Sequence, residues 1–158
     1  MLNKKGFSLV EAVVAIAIAV MFFLSVYEII LFSSKITSTG MRKVEATYLA
    51  QEGIEAVRVI RNNSWADGIA ILTDGANYYL VLSGNQWTLT TTPQALINGI
   101  FARTVVLSAV NRDANDDISA SGTPDTKTKK VTVNVAWTER GTNYSTNIQT
   151  YLTDFLSN

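Results

Sequence analysis

From Phe7 to Phe32 the chain is apolar at nearly every position, and only Glu11 and Glu28 carry charge. Phe7 to Tyr27 spans 21 residues, about 31 Å as an α-helix, against ~30 Å of bilayer hydrocarbon. Its Ala, Val, Ile, Leu, Phe and Met content predicts a transmembrane helix. After Leu31-Phe32 the sequence continues Ser33-Ser34-Lys35-Ile36, without the small-residue cleavage site of a secretory signal, so the segment is expected to be retained. From Ala46 the period changes. Ala46, Leu49, Ala50, Gly53, Val57 and Ile60 fall on one helical arc, the pattern of a helix packed on a core. Glu52, Glu55, Arg58 and Arg61 lie off that arc, with Glu55 and Arg58 spaced to pair. No proline interrupts residues 1–92. The spacing therefore predicts a single helix from Phe7 to Arg61, about 82 Å long, stopped by Asn62-Asn63-Ser64. Its weakest part is Ser33 to Gly40, rich in Ser and Thr, where a bend or local melting is expected.

Beyond the helix the period shortens to two. Tyr78–Leu82 and Trp87–Thr91 flank Ser83-Gly84-Asn85-Gln86, a hairpin signal. Ile100 to Val110 is β-branched and long enough for a central strand. Val131, Val133, Val135 and Trp137 alternate with Thr132, Asn134, Ala136 and Thr138, which predicts a half-buried strand with Trp137 in the core. Glu139-Arg140-Gly141-Thr142 turns the chain into a last strand, Tyr144 to Phe155, with Tyr144, Ile148 and Leu152 inward. Asn111 to Thr128 reads as a loop. Trp65 is expected to close the helix onto the sheet, and Trp87, beside the hairpin, to be the most exposed indole. The fold class is α+β: a long N-terminal helix against an antiparallel sheet. The segments are 1–6, a short basic leader; 7–32, the membrane segment; 33–64, its continuation on the sheet; and 65–158, the sheet head.

Charge and composition narrow the chemistry. Thirteen basic residues balance thirteen acidic ones, so no nucleic-acid surface is expected. Lys4-Lys5 beside the apolar run places the leader in the cytoplasm and the remainder outside. Lys127, Lys129 and Lys130 precede a strand and fit the lysines that protect a sheet edge. The sequence holds no cysteine and no histidine, which excludes disulfides, thiolate chemistry, histidine triads and histidine-ligated zinc. Asp113-Ala114-Asn115-Asp116-Asp117 sets oxygen donors at alternating positions, with Asp125 further on. Asp113, Asn115, Asp117 and Asp125 are thus candidate calcium ligands. Against this, Ile118 stands where an EF-hand loop needs Gly and no Glu closes the loop, so a solvated Asp/Asn turn competes as the reading.

Glu11 is the position that demands a reason, because a carboxylate at mid-membrane costs on the order of 2.5 kcal/mol or more. The run Lys4-Lys5-Gly6-Phe7-Ser8-Leu9-Val10-Glu11-Ala12, with the apolar helix behind it, resembles the type IV pilin superfamily, including the pseudopilins of type II secretion. Tyr48-Leu49-Ala50-Gln51-Glu52-Gly53-Ile54-Glu55 and Trp65 look like minor pilins or pseudopilins of the V or I type. The resemblance implies a structural subunit rather than an enzyme. It also implies cleavage between Gly6 and Phe7 and methylation of Phe7 by a prepilin peptidase. Assembly with other pilin or pseudopilin subunits would follow, through Glu11 and the terminal amine of a neighbour's Phe7. Many pilins kink at a proline near the end of the membrane segment; here the residues are Tyr27-Glu28-Ile29. A second reading is a single-pass anchored binding module whose sheet domain recognises a ligand outside the cell.

Overall fold

The computed structural model describes residues 8–155, so Gly6 and Phe7 lie outside the described residues. One helix, α1, runs Leu9–Asn63. It serves two compact units, one ending at Met41 and the other beginning at Arg42. The helix is unbroken through Ser33–Gly40, against the expected weakness there. Ser and Thr each fall only a few tenths of a kcal/mol below Ala in helix propensity, too little to interrupt a hydrogen-bonded ladder with strong helix formers on both sides.

In the second unit, α1 packs on a six-stranded antiparallel sheet: β1 (Asn77–Ser83), β2 (Gln86–Thr90), β3 (Ala102–Arg112), β4 (Ile118–Ser119), β5 (Thr123–Glu139) and β6 (Thr142–Thr153). The order is β2-β1-β3-β5-β6, with β4 paired to the end of β3. The β1–β2 hairpin turns at Gly84-Asn85, and both residues take positive φ (55° and 64°), which glycine and asparagine tolerate best. On β5 the alternation is complete. Val131, Val133, Val135 and Trp137 are buried, whereas their sequence neighbours are not. Each buried valine contributes roughly 1.5–3 kcal/mol over an exposed one. Tyr144, Ile148 and Leu152 of β6 turn to the same core.

The helix adds Ala46, Ala50, Gly53, Val57 and Ile60, as the arc predicts, together with Ile54 and Ala56. Contacts along its length fix its direction. Arg42 lies 3.7 Å from Glu139, Gly53 lies over Val133, and Arg61 donates to the carbonyl of Thr153 at 3.1 Å. Thr153 is paired with Thr128, so this stretch of α1 runs antiparallel to β5. Glu55 and Arg58 pair at 2.7 Å as spaced. Past Asn63 the chain makes a π-helical turn, Ala66–Ala70, that the sequence did not announce. Ser64 Oγ accepts from the Asp67 amide at 3.1 Å and opens that turn. Trp65 and Ile69 are buried against the helix end and the sheet.

Two expectations change. The loop from Asn111 to Thr128 is largely strand. β3 continues to Arg112 and pairs with Thr123, Pro124 and Asp125 across an irregularity at Ala109/Val110. That irregularity absorbs residues 126–128 and lets a proline sit beside a bulge, where strands accept one. The lysines do not guard an edge either, because β5 lies between β3 and β6. Lys129 instead reaches Asp74 at 2.7 Å.

Gly53 sets how close helix and sheet come. A Cβ there would sit 2.8 Å from Cγ1 of Val133 and 3.2 Å from Cδ of Arg103. Gly53→Ala gains ~1 kcal/mol of helix propensity but overpacks the seam by about 1–3 kcal/mol. A lowered melting temperature of the full chain in detergent is expected; an unchanged or raised one would show that the seam has room.

Candidate functional site

In the N-terminal unit, the Ser8 carbonyl accepts the Ala12 amide at 3.1 Å, which makes Ser8 the residue that caps α1. Glu11 then stands in the first turn of the helix, three residues from the cap, with the Ser-x-x-Glu spacing of a capping box. The unsatisfied amides of a helix start favour a carboxylate there. Sequence reading took Glu11 as an ionisable group inside a membrane span; the structure sets it in the first turn of α1. Behind it, Leu9, Val10, Val13, Ile16, Met21, Phe22, Phe23, Ile29 and Phe32 are each more than half exposed. The helix is long and apolar enough to cross a membrane, and none of its most apolar window is buried among the described residues. Such a surface offers no polar chemistry. It is suited to lipid or to other apolar helices.

The acidic loop resolves into a turn and an ion pair. Oδ1 of Asp113 accepts from the amides of Asn115 (2.8 Å) and Asp117 (3.0 Å), while the Asp113 amide donates to the Asp117 carbonyl at 2.9 Å. Asp116 takes a positive φ of 67°, which Asp tolerates better than most residues. Asp125 lies apart from that turn, with Oδ2 at 2.7 Å from Nε of Arg112 and Oδ1 accepting from the Lys127 amide at 2.9 Å. Arg112 also donates to the Asp116 carbonyl at 2.7 Å. The structure thus gathers Asp113, Asn115 and Asp117 and assigns Asp125 to an arginine. A hollow of about 460 Å³ lies between them. Among the described residues no group of three or more Asp, Glu, His or Cys is arranged to hold a metal ion.

The tryptophans occupy different surroundings. Trp137 is buried and stacks on Tyr144, with ring centroids 5.6 Å apart, and its indole nitrogen has no hydrogen-bond partner among the described residues. Trp87, expected to be exposed, is half-buried on the margin of the core. The guanidinium of Arg103 stands 5.9 Å from its ring. Arg103 also clamps the helix, donating to the Leu49 carbonyl at 3.0 Å and to Glu52 at 2.8 Å. Trp87 is therefore part of the helix–sheet seam.

The hydrogen bond from Arg112 holds the Asp125 carboxyl below its usual range, and bonds from Thr128 and the Lys127 amide act the same way. A depressed folded pKa contributes stability that is present above the unfolded value of ~3.9 and is lost as pH falls through the folded one. Asp125→Asn should lower the unfolding midpoint at pH 7 and narrow the gap between the midpoints at pH 7 and pH 2. Equal gaps in the two proteins would remove this pair from the acid response.

Comparison with known proteins bears on the N-terminal unit. Residues 1–27 match the family described as the prokaryotic N-terminal methylation motif. No curated protein matches the chain, and no solved structure does. The chain carries the N-terminal methylation signature of type IV pilins, on an apolar helix and antiparallel sheet that fit a pilin-like fold.

Proposed function

We propose that this chain is a structural subunit of a type IV pilus-like filament or type II secretion pseudopilus, a minor pilin or pseudopilin of the V or I type. One observation carries the reading: the methylation motif over residues 1–27 runs into a helix whose most apolar window is not buried by any of the described residues. Prepilin peptidase cuts between Gly6 and Phe7 and methylates Phe7. The precursor sits in the cytoplasmic membrane with its basic leader inside and its sheet domain outside, then moves into the filament. There the side chains that faced lipid face the helices of other subunits.

Glu11 supplies the register. A carboxylate among apolar helices needs a cation, and the freed amine of a neighbour's Phe7 is one that processing itself creates. The subunit is not an enzyme and binds no nucleic acid. It needs no calcium: the Asp113–Asp117 segment serves as a structural turn, and Asp125 belongs to Arg112.

Mass spectrometry of the protein from its native membrane is expected to find a methylated Phe7 at the N-terminus. An intact Met1 would favour the anchored binding module. Glu11→Ala should still be processed and methylated yet disappear from sheared filaments, since stripping one partner from a buried pair costs about 3–5 kcal/mol. Normal incorporation of that variant would end the assembly role. Calcium should leave the melting temperature of the full chain unchanged; a rise would bring Asp113, Asn115, Asp117 and Asp125 back as ligands.

A further inference from the structure

Between Glu11 and Arg42 the chain carries only two charges, Glu28 and Lys35. They are of opposite sign and seven residues apart, 20° short of two helical turns, so they share one face of α1. Both are exposed. Neither forms an ion pair or hydrogen bond with any described residue. Their rise along the axis, about 10.5 Å, is too long for them to meet each other in a regular helix. Leu31 and Phe32, both more than half exposed, lie between them. Two lone charges on an otherwise apolar surface would oppose its burial against apolar helices unless each meets its opposite.

We infer that Glu28 pairs with Lys35 of a second, parallel copy of this chain, displaced along the helix axis. A shift of seven residues, about 10.5 Å, sets Glu28 of the outer copy level with Lys35 of the inner one. The displacement has the same sense as the one that brings an outer copy's Phe7 amine to the inner copy's Glu11. That contact needs a shift of four residues or somewhat more, about 6 Å. With the reach of the glutamate and lysine side chains, any shift between four and seven residues satisfies both pairs. Glu28–Lys35 is then a second register contact near the far end of the apolar segment. It fixes the sense of the displacement, because the opposite shift carries Glu28 away from Lys35 and towards the uncharged stretch before it. The inference deepens the filament reading above and rests on it for the burial of this face.

The absence of cysteine from the sequence makes the test direct. Two differently tagged full-length copies, one with Leu24→Cys and one with Leu31→Cys, are expressed together in the native membrane and oxidised. The mixed 24–31 cross-link is expected several-fold above the 24–24 and 31–31 products. Glu28→Lys alone or Lys35→Glu alone in both copies should reduce it several-fold, and the two reversals combined should restore it. Level cross-links that equal or exceed the mixed one, a double reversal no better than the singles, or cross-links to other proteins only would each overturn the pairing. The N-terminus of the same samples is read by mass spectrometry. Methylated Phe7 with a failed cross-link pattern removes the Glu28–Lys35 contact alone, whereas intact Met1 removes the filament reading itself.

Discussion

The sheet domain depends on one close approach: the backbone of α1 at Gly53 against Cγ1 of Val133. With no side chain at that position, the helix can lie low enough on β5 for Val57 and Ile60 to reach a core shared with Val131, Val135 and Trp137. Arg103 closes the same seam from the side, its guanidinium against the Leu49 carbonyl and Glu52. Nothing covalent supplements this packing, since the chain has no cysteine. For a small domain without staples, such a seam supplies much of what holds helix to sheet.

The two parts of α1 answer opposite demands. Before Met41 the helix keeps its apolar side chains outside the chain, and after Arg42 it buries a stripe of them beneath the sheet. The same α-helical ladder supports both, because helix geometry does not depend on what lies against the side chains. The division of labour is in the pattern: apolar residues all round in the first part, one arc only in the second. Glu11 in the first turn shows how local helix geometry bears on a charge in an apolar segment. Near a helix start a carboxylate is locally favourable, so the chain can carry that charge at reduced local cost.

Most of this architecture is legible in the residues. The arc from Ala46 to Ile60, the hairpin at Gly84-Asn85 and the alternation of β5 all come from local periodicity and appear where periodicity puts them. What was misread depends on partners distant in sequence. Nothing local to Lys129 tells that Asp74 waits for it, or that β6 will cover the far side of β5. The Asn111–Thr128 segment looks like loop because Asp, Asn, Gly and Pro crowd it, yet Arg112 and Asp125 clip its two ends into a ladder. Trp87 looked free because a hairpin usually is; Arg103, sixteen positions on, places it in the seam. For the candidate site, the N-terminal methylation motif was legible through its resemblance, and the family match covers residues 1–27. That Glu11 stands in the first turn of α1 needed the position of the first helical hydrogen bond.

The continuity of α1 through Ser33–Gly40 also has a mechanical side. Tension carried along α1 passes through the backbone hydrogen bonds of that stretch, which lies inside the first unit. Six of those eight residues are Ser, Thr or Gly, all of them weaker helix formers than Ala. Extension from 1.5 to about 3.4 Å per residue would lengthen the subunit by about 15 Å. The stretch from Ser33 to Gly40 is thus the part of α1 least bound to its helical state by local propensity.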